Sequence, residues 1–434
     1  MSFVRAQRPS STRVAGFVGV WTLAATSALA AADVTAAGAD GGHGLAILAS
    51  KALCCELEGE QVIDGALVLV RNGKIEAIGR AASLTIPEGY AVMDVGEHWL
   101  VPGLVDLHSH IGGSGINDMV LQCNPGLRVA TTLRPDNAAF QRALAAGVTT
   151  VLFIPGSGTN IGGQGILVKT GPGTFDEVCV RDPGSLKIAQ GDNPTRWGYG
   201  MGRLLMNHHI RITLRKGLAY ARRWEDYEDN GGDEPARRLD LDIFRSLAAA
   251  ETQISTHTQY YQVVLASLRI LRMEFGFDVY IDHGSFDSWE LGAIAEDLGV
   301  AAILGPREIL WPRPPRYDTD GRVEASSWGF QRMGHTRIGF NTDAPVVPQE
   351  ELPLQAAMGV RYGFDDSHVD SVRAVTIVPA WAAGIDDRLG SLEAGKDADI
   401  LVVTGDPTDP RNAVERVLVE GRVVYDAGTG VRRW

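Results

Sequence analysis

The stretch Leu100–Gly113, LVPGLVDLHSHIGG, decides how the rest of the chain is read. An apolar run leaves the turn at Pro102–Gly103 and stops at two histidines separated by Ser109. Apolar residues at successive positions mark a strand buried on both faces, the pattern of a parallel sheet covered by helices. Residues two apart on a strand point to one face, so His108 and His110 are expected to project together from its end.

From Val101 to about Ala383, short apolar segments alternate with helical ones. GLVDLHSH, GVTTVLFIPG, QGILVKTG, SLKIAQG, ETQISTHT, DVYIDHG, VAAILGP and RIGFNTDAP supply eight strand candidates. Most precede a helix-period stretch such as FDSWELGAIAEDLG. This alternation predicts βα units of the α/β class, and eight of them suit a (β/α)8 TIM barrel. On either side the texture is β alone. AILASKAL, DGALVLVRNGKIEAIG and YAVMDV come before, with Asn72-Gly73 as a hairpin signal; ADILVVTG and AVERVLVEGRVVYD come after. The expected organisation is a signal peptide at 1–30, a linker at 31–44, an N-terminal β-sandwich segment at 45–100, the barrel at 101–384 and a C-terminal β-sandwich segment at 385–434. The two sandwich segments are expected to pair beside the barrel. The segment from Pro194 to about Ala250 reads as an enlarged helical connection whose charged tip, EDYEDNGGDEP, is a solvated loop.

The bulk composition excludes several classes. Forty Lys and Arg against 53 Asp and Glu leave the 434-residue chain at −13, which disfavours nucleic acid as a partner. Arg5, Arg8 and Arg13 precede the apolar run Val14–Ala30, which ends in ALA. A basic segment, a short apolar run and a small-residue site describe a cleavable export signal, so a periplasmic or secreted protein with no membrane span after cleavage is expected. Cys54, Cys55, Cys123 and Cys179 form no CxxC pair, and the adjacent Cys54 and Cys55 read as packing residues. A homo-oligomer stays open.

Catalytic groups of a parallel barrel collect at the C-terminal ends of its strands. Besides His108 and His110, the fifth candidate ends in His257, the sixth in His283 and the eighth in Asp343. A lone strand-end histidine is usually structural. Four imidazoles and a carboxylate in strand order instead suit a divalent metal such as Zn²⁺.

VPGLVDLHSHIGG, FGFDVYIDHGS, IGFNTDAP and GSLEAGKDADILVV together resemble the amidohydrolase superfamily of metal-dependent hydrolases, nearest its imidazolonepropionase-like and dipeptidase-like branch. The resemblance covers nearly the whole chain after the signal segment. It implies a barrel with a β-sandwich and one or two divalent metals, with His108, His110, His257, His283 and Asp343 as ligands. It also implies a fourth-strand lysine, carboxylated so that its carbamate oxygens bridge two ions. Lys187 in SLKIAQG is the candidate, and Lys169 in ILVKTG the alternative. An ordinary salt-bridged lysine is the third possibility, which would leave a one-metal site.

The ligand set leads to metal-assisted hydrolysis of an amide-type C–N bond in a dipeptide or other small amide. Asp343 serves as general base and acid, and His283 helps polarise the carbonyl. A cyclic-amide hydrolase or deaminase, or a non-catalytic binding barrel, are the alternatives. The glycine-rich Pro155–Gly165, PGSGTNIGGQG, is either a substrate loop or a tight turn. Arg307 and Arg313 in GPREILWPRPPRY are candidates to meet a substrate carboxylate, with plain surface arginine as the simpler reading. His208 and His209 are neighbours on a helical segment and are read as structural.

Overall fold

The computed structural model describes residues 44–119, 121–190, 192–195, 202–305, 309–310 and 324–429. The expected signal peptide, nearly all of the expected linker, Arg307 and Arg313 lie outside the described residues. The fold is mixed α/β. In chain order the strands are β1 (Leu45–Leu53), β2 (Val62–Arg71), β3 (Lys74–Arg80), β4 (Ala91–Asp94), β5 (Trp99–Pro102) and β6 (Leu104–Ser109). There follow β7 (Val148–Phe153), β8 (Ile161–Lys169), β9 (Cys179–Ala189), β10 (Gln253–His257), β11 (Ile281–His283) and β12 (Ala302–Leu304). The last are β13 (Ile309–Leu310), β14 (Glu324–Ala325), β15 (Ile338–Phe340), β16 (Ile400–Val403), β17 (Val414–Val419) and β18 (Arg422–Asp426).

The terminal segments do pair. Their sheet has the order β18-β17-β16-β5-β1-β2-β3, with β4 also beside β1. β5 is antiparallel to β16, with Leu100 opposite Val402. Where a two-sheet sandwich is expected, one hydrogen-bonded ladder runs through all eight strands, because β1 pairs with β2 along one edge and with both β4 and β5 along the other. Asn72 and Gly73, at φ 52° and 77°, make the β2–β3 turn that their sequence predicts.

The Pro102–Gly103 turn carries the chain from this sheet into the next. Gly103 must be glycine, since a Cβ there would lie 2.0 Å from Thr149 Oγ1. Beyond it β6 is buried at every position. Leu104, Val105 and Leu107 join the main apolar cluster with Phe153, Leu304 and Phe340. Each such side chain stabilises the fold by about 1.5–3 kcal/mol on area grounds.

All eight strand candidates form strands, in two sheets. One has the order β10-β9-β8-β7-β6, the other β11-β12-β15. Parallel bridges Ile254–Val279 and Thr258–His283 join β10 to β11 and the residues flanking them. A further parallel bridge, Ser109–Ala344, joins β6 to the residues after β15.

The direction of β8 departs from the regular (β/α)8 expectation. It is antiparallel to both β7 and β9, whereas the other pairings of the two sheets are parallel. The reason is the length of the links. Residues 154–160 between β7 and β8 hold no helix, and a short link can only reverse the chain; a parallel return needs a crossover of about a dozen residues or more.

Behind β8–β10 lies the helix Arg203–Asn230, whose buried Met206, Ile210, Leu214, Gly217, Tyr220 and Trp224 follow helical spacing. Of these, Ile210, Leu214, Tyr220 and Trp224 pack with Ile161, Leu186, Ile188 and Ile254. The helix runs on to Asn230 and stops at Gly231, φ 72°, so the first half of the expected charged loop is helical. All four described cysteines are free, and Cys54 and Cys55 are fully buried. Among the described residues no helix is long and apolar enough to cross a membrane.

Candidate metal centre

The end of β6 presents two imidazoles to the end of β15. His108 Nε2 and His110 Nε2 lie 3.2 Å apart. Asp343 Oδ1 is 3.2 Å from each of them. The far nitrogens are engaged: His110 Nδ1 donates to Ile154 O at 2.9 Å, and His108 Nδ1 lies 2.6 Å from Asp282 Oδ2. With a proton on each Nδ1, both Nε2 lone pairs face the same Asp343 oxygen. Such a tautomer follows from the hydrogen-bond network.

A second group abuts the first. His283, at the end of β11, donates from Nδ1 to Gly305 O at 2.8 Å, and its Nε2 lies 2.9 Å from His257 Nδ1. His257 Nδ1 also meets Ser157 Oγ at 2.9 Å, and His257 Nε2 is buried with no hydrogen-bond partner. The His108 ring centroid is 4.5 Å from that of His283, which is 4.4 Å from that of His257. Lys187, on β9 opposite Ser255, is fully buried. Its Nζ donates to Thr256 O at 3.1 Å and approaches His108 Nε2 at 3.3 Å.

Burial and crowding set the protonation of the cluster. Burial lowers His110, and it lowers His257 strongly, with His283 and Lys187 adding repulsion. His283 is brought down to about 4 by burial and by the charge of His108. Burial acts on His108 in the same direction, but Asp282 and Asp343 outweigh it and the net shift is upward. Burial brings the Lys187 amine down to about 8. Burial pushes Asp343 upward, yet His108, His110 and His283 hold it well below the usual carboxylate range.

Two of these residues sit in the left-handed backbone region, His283 at φ 73° and Asp343 at φ 49°. For residues with a side chain this conformation is costly and collects at functional sites. It also explains why Asp282 belongs here. Neighbours on a regular strand point to opposite faces, but the kink at His283 lets both side chains reach His108. Asn341 Nδ2 donates to Asp282 Oδ1 at 3.0 Å and holds that carboxylate from the other side.

The structure therefore brings together His108, His110, Lys187, His257, His283 and Asp343. It does not bring Lys169, whose Nζ lies 2.8 Å from Asp397, 3.2 Å from Asp399 and 2.9 Å from Glu420. That lysine is locked in a buried ion cluster between β8 and the terminal sheet. His208 and His209 lie on the helix Arg203–Asn230, their rings 6.1 Å apart. The glycine-rich stretch Pro155–Gly165 does reach the cluster, through Ser157. Residues that sequence reasoning passed over are Asp282, Asn341, Ser157 and a buried carboxylate, Asp106. Burial pushes Asp106 up to about 6, against hydrogen bonds from Thr342 and His108 that pull it down.

The donor set fits a divalent metal. His108, His110 and Asp343 form one triplet whose ligand atoms lie within 4.8 Å of one another, and His108, Asp282 and His283 form another. The orphaned Nε2 of His257 adds a buried lone pair with nothing to accept, and a buried polar atom of that kind calls for an explanation.

A family model described as Amidohydrolase family matches residues 365–425. A solved amidohydrolase from Thermotoga maritima superposes with a TM-score of 0.76 at 28% identity, covering 88% of this chain and 100% of that one. The chain is therefore similar to amidohydrolases in both sequence and fold. Among curated relatives, amidohydrolase tasK of Hapsidospora irregularis is 27% identical over 83% of this chain, although the match spans only 40% of that longer protein. An imidazolonepropionase of Sphingopyxis alaskensis is 23% identical over 82% of this chain and 90% of its own length. A solved molinate hydrolase shares the amidohydrolase fold, with a TM-score of 0.54 and 20% identity over 89% of this chain and 95% of that one.

Proposed function

We propose that this protein hydrolyses an amide-type C–N bond of a dipeptide or other small amide at a divalent metal centre. The observation that carries the reading is the convergence of His108 Nε2 and His110 Nε2 on one oxygen of Asp343, 3.2 Å from each. His108, His110 and Asp343 would hold one ion, with His257, His283 and Lys187 available for a second. Zn²⁺ suits imidazole and carboxylate donors. Such an ion supplies Lewis acidity, polarising the substrate carbonyl and lowering the pKa of water toward neutrality.

The chain's own residues do the remaining work. Asp343 takes the proton from the attacking water and returns it to the leaving nitrogen, so the acid and the amine separate. His283 orients the carbonyl. Lys187 as an ammonium would repel a cation. Its buried amine, brought down to about 8, is more readily neutral, and reaction with CO₂ would turn it into an anionic oxygen donor. Left unmodified, it restricts the site to one metal. We read the eight strands joined by the Ser109–Ala344 and Thr258–His283 bridges as the superfamily's barrel with β8 reversed. The same proposal places the mature protein outside the cytoplasm, with residues 1–30 removed.

The curated relatives named imidazolonepropionase support a second reading, in which the amide is cyclic. Metal content by mass spectrometry, paired with a panel of dipeptides, N-acyl amides, cyclic amides and aromatic amines, tests both. Bound zinc with amine release from a linear amide supports the first reading, and ring opening alone supports the second. A metal-free protein inert on the whole panel overturns both.

A further inference from the structure

Asp106 is fully buried two residues before His108, and it contacts neither His108 Nε2 nor Asp343. Instead it ties together the backbones that carry them. Its Oδ1 accepts from His108 N at 2.9 Å. Its Oδ2 accepts from Thr342 N at 3.1 Å, from Thr342 Oγ1 at 2.6 Å and from Gln349 Nε2. Gln349 Oε1 in turn accepts from Ser109 Oγ at 2.6 Å.

These bonds bracket the residue with the left-handed backbone. Asp343, at φ 49°, is flanked on one side by Thr342, held twice by Asp106. On the other side Ala344 N donates to Thr342 Oγ1 at 3.2 Å, and Ala344 O accepts from His110 N at 2.8 Å. A strained conformation persists only when its surroundings over-determine it. Here Asp106 and Thr342 supply that constraint together with the single Ser109–Ala344 bridge, since β6 and β15 themselves share no ladder.

We infer that Asp106, acting through Thr342, is a positioning residue: it fixes the Asp343 oxygen between His108 Nε2 and His110 Nε2 and so presets the metal-binding triplet. This rests on the reading of that triplet as a metal centre, and it goes further by assigning the triplet's geometry to a carboxylate that ligates nothing. Asp106 is turned away from any substrate, since all four of its hydrogen-bond donors belong to the chain itself.

The test compares Asp106→Asn, Thr342→Val and Thr342→Ser by Zn²⁺ affinity, measured in competition with a chromophoric chelator. Thr342→Val is nearly isosteric and deletes only the two hydroxyl bonds, to Asp106 Oδ2 and from Ala344 N, whereas Thr342→Ser keeps both. Losing an outer partner of a metal site typically costs about 10- to 100-fold in metal affinity. That loss is expected for Asp106→Asn and Thr342→Val, with Thr342→Ser restoring most of it. On any cleaved amide, kcat should fall with KM little changed. The inference is overturned if Thr342→Val folds and binds Zn²⁺ as tightly as wild type, or if Thr342→Ser is as impaired as Thr342→Val. Because affinity is the deciding reading, a protein that shows this pattern yet cleaves no amide would overturn the hydrolase reading and leave the positioning role standing.

Discussion

Asp282 Oδ2 lies 2.6 Å from His108 Nδ1, with both side chains wholly shielded from solvent. A carboxylate behind an imidazole fixes which nitrogen carries the proton and raises the basicity of the other. Replacing Asp282 by Asn keeps the shape and removes the charge. Zn²⁺ affinity of Asp282→Asn is expected to fall about 10- to 100-fold, read by chelator competition. Unchanged affinity would show that Asp282 does not tune His108.

Asp343→Asn separates proton transfer from ligand geometry, because the amide still offers one oxygen to the cluster. Loss of a general acid–base group typically lowers the rate by about 10²–10⁴-fold. That drop in kcat is expected in protein that still carries metal by mass spectrometry. Full activity in metal-loaded Asp343→Asn would remove the aspartate from the proton path.

Lys169 is a stability residue, and its substitution should leave the chemistry alone. Lys169→Met leaves the buried Asp399 without its cation, while Asp397 keeps Lys74 and Arg388; breaking a buried pair by removing one partner costs about 3–5 kcal/mol. Burial lowers the Lys169 amine, but Asp399 and Asp397 outweigh it and the pKa is raised above 10.5. A raised folded pKa means that the stabilisation is complete below 10.5 and is lost as the pH climbs through the folded value. Urea unfolding should therefore show a constant gap between wild type and Lys169→Met around neutral pH, narrowing only in strong alkali. A gap already closing near neutrality would contradict the ion cluster.

The metal-free protein should lose stability on mild acidification. His283 drops from 6.5 to about 4 on folding, and His110 and His257 are also lowered. Between those values the unfolded chain binds more protons than the folded one, so stability rises with pH. His108 and the buried Asp106, whose carboxyl is raised to about 6, have the opposite sign and are outnumbered by the three lowered imidazoles. Thermal melts of stripped protein should show Tm falling as pH drops from 6.5 toward 4, and bound Zn²⁺ should flatten that slope. A flat profile in the stripped protein would mean that the imidazoles are not packed as described.

The strands and most of the site were legible in the residues, for identifiable reasons. Buried strands are continuous apolar runs, and a period of two puts His108 and His110 on one side of β6. Direction was not legible from that pattern, because a buried strand reads alike either way. The signal lay in the link: residues 154–160 carry glycines and no helix, which already implies a reversal at β8. Asp282 was hidden by the regularity that exposed the others. Next to His283 it should face away, and only the φ of 73° at His283 brings it in. Asp106 shares the parity of His108 and His110 in VDLHSH and was open to discovery on that ground. Lys187 and Lys169 are both strand lysines, and only the pairing of Lys169 with Asp397 and Asp399 tells them apart.

The measurement that bears most directly on the central claim is a Zn²⁺ titration of chelator-stripped protein, following amine release from its best amide substrate. Activity should be absent in the stripped protein and return in proportion to bound metal, with the His108→Ala variant failing to recover at the same Zn²⁺ concentration. Hydrolysis that survives complete stripping, or recovery in His108→Ala equal to wild type, would contradict a catalytic metal centre at His108, His110 and Asp343.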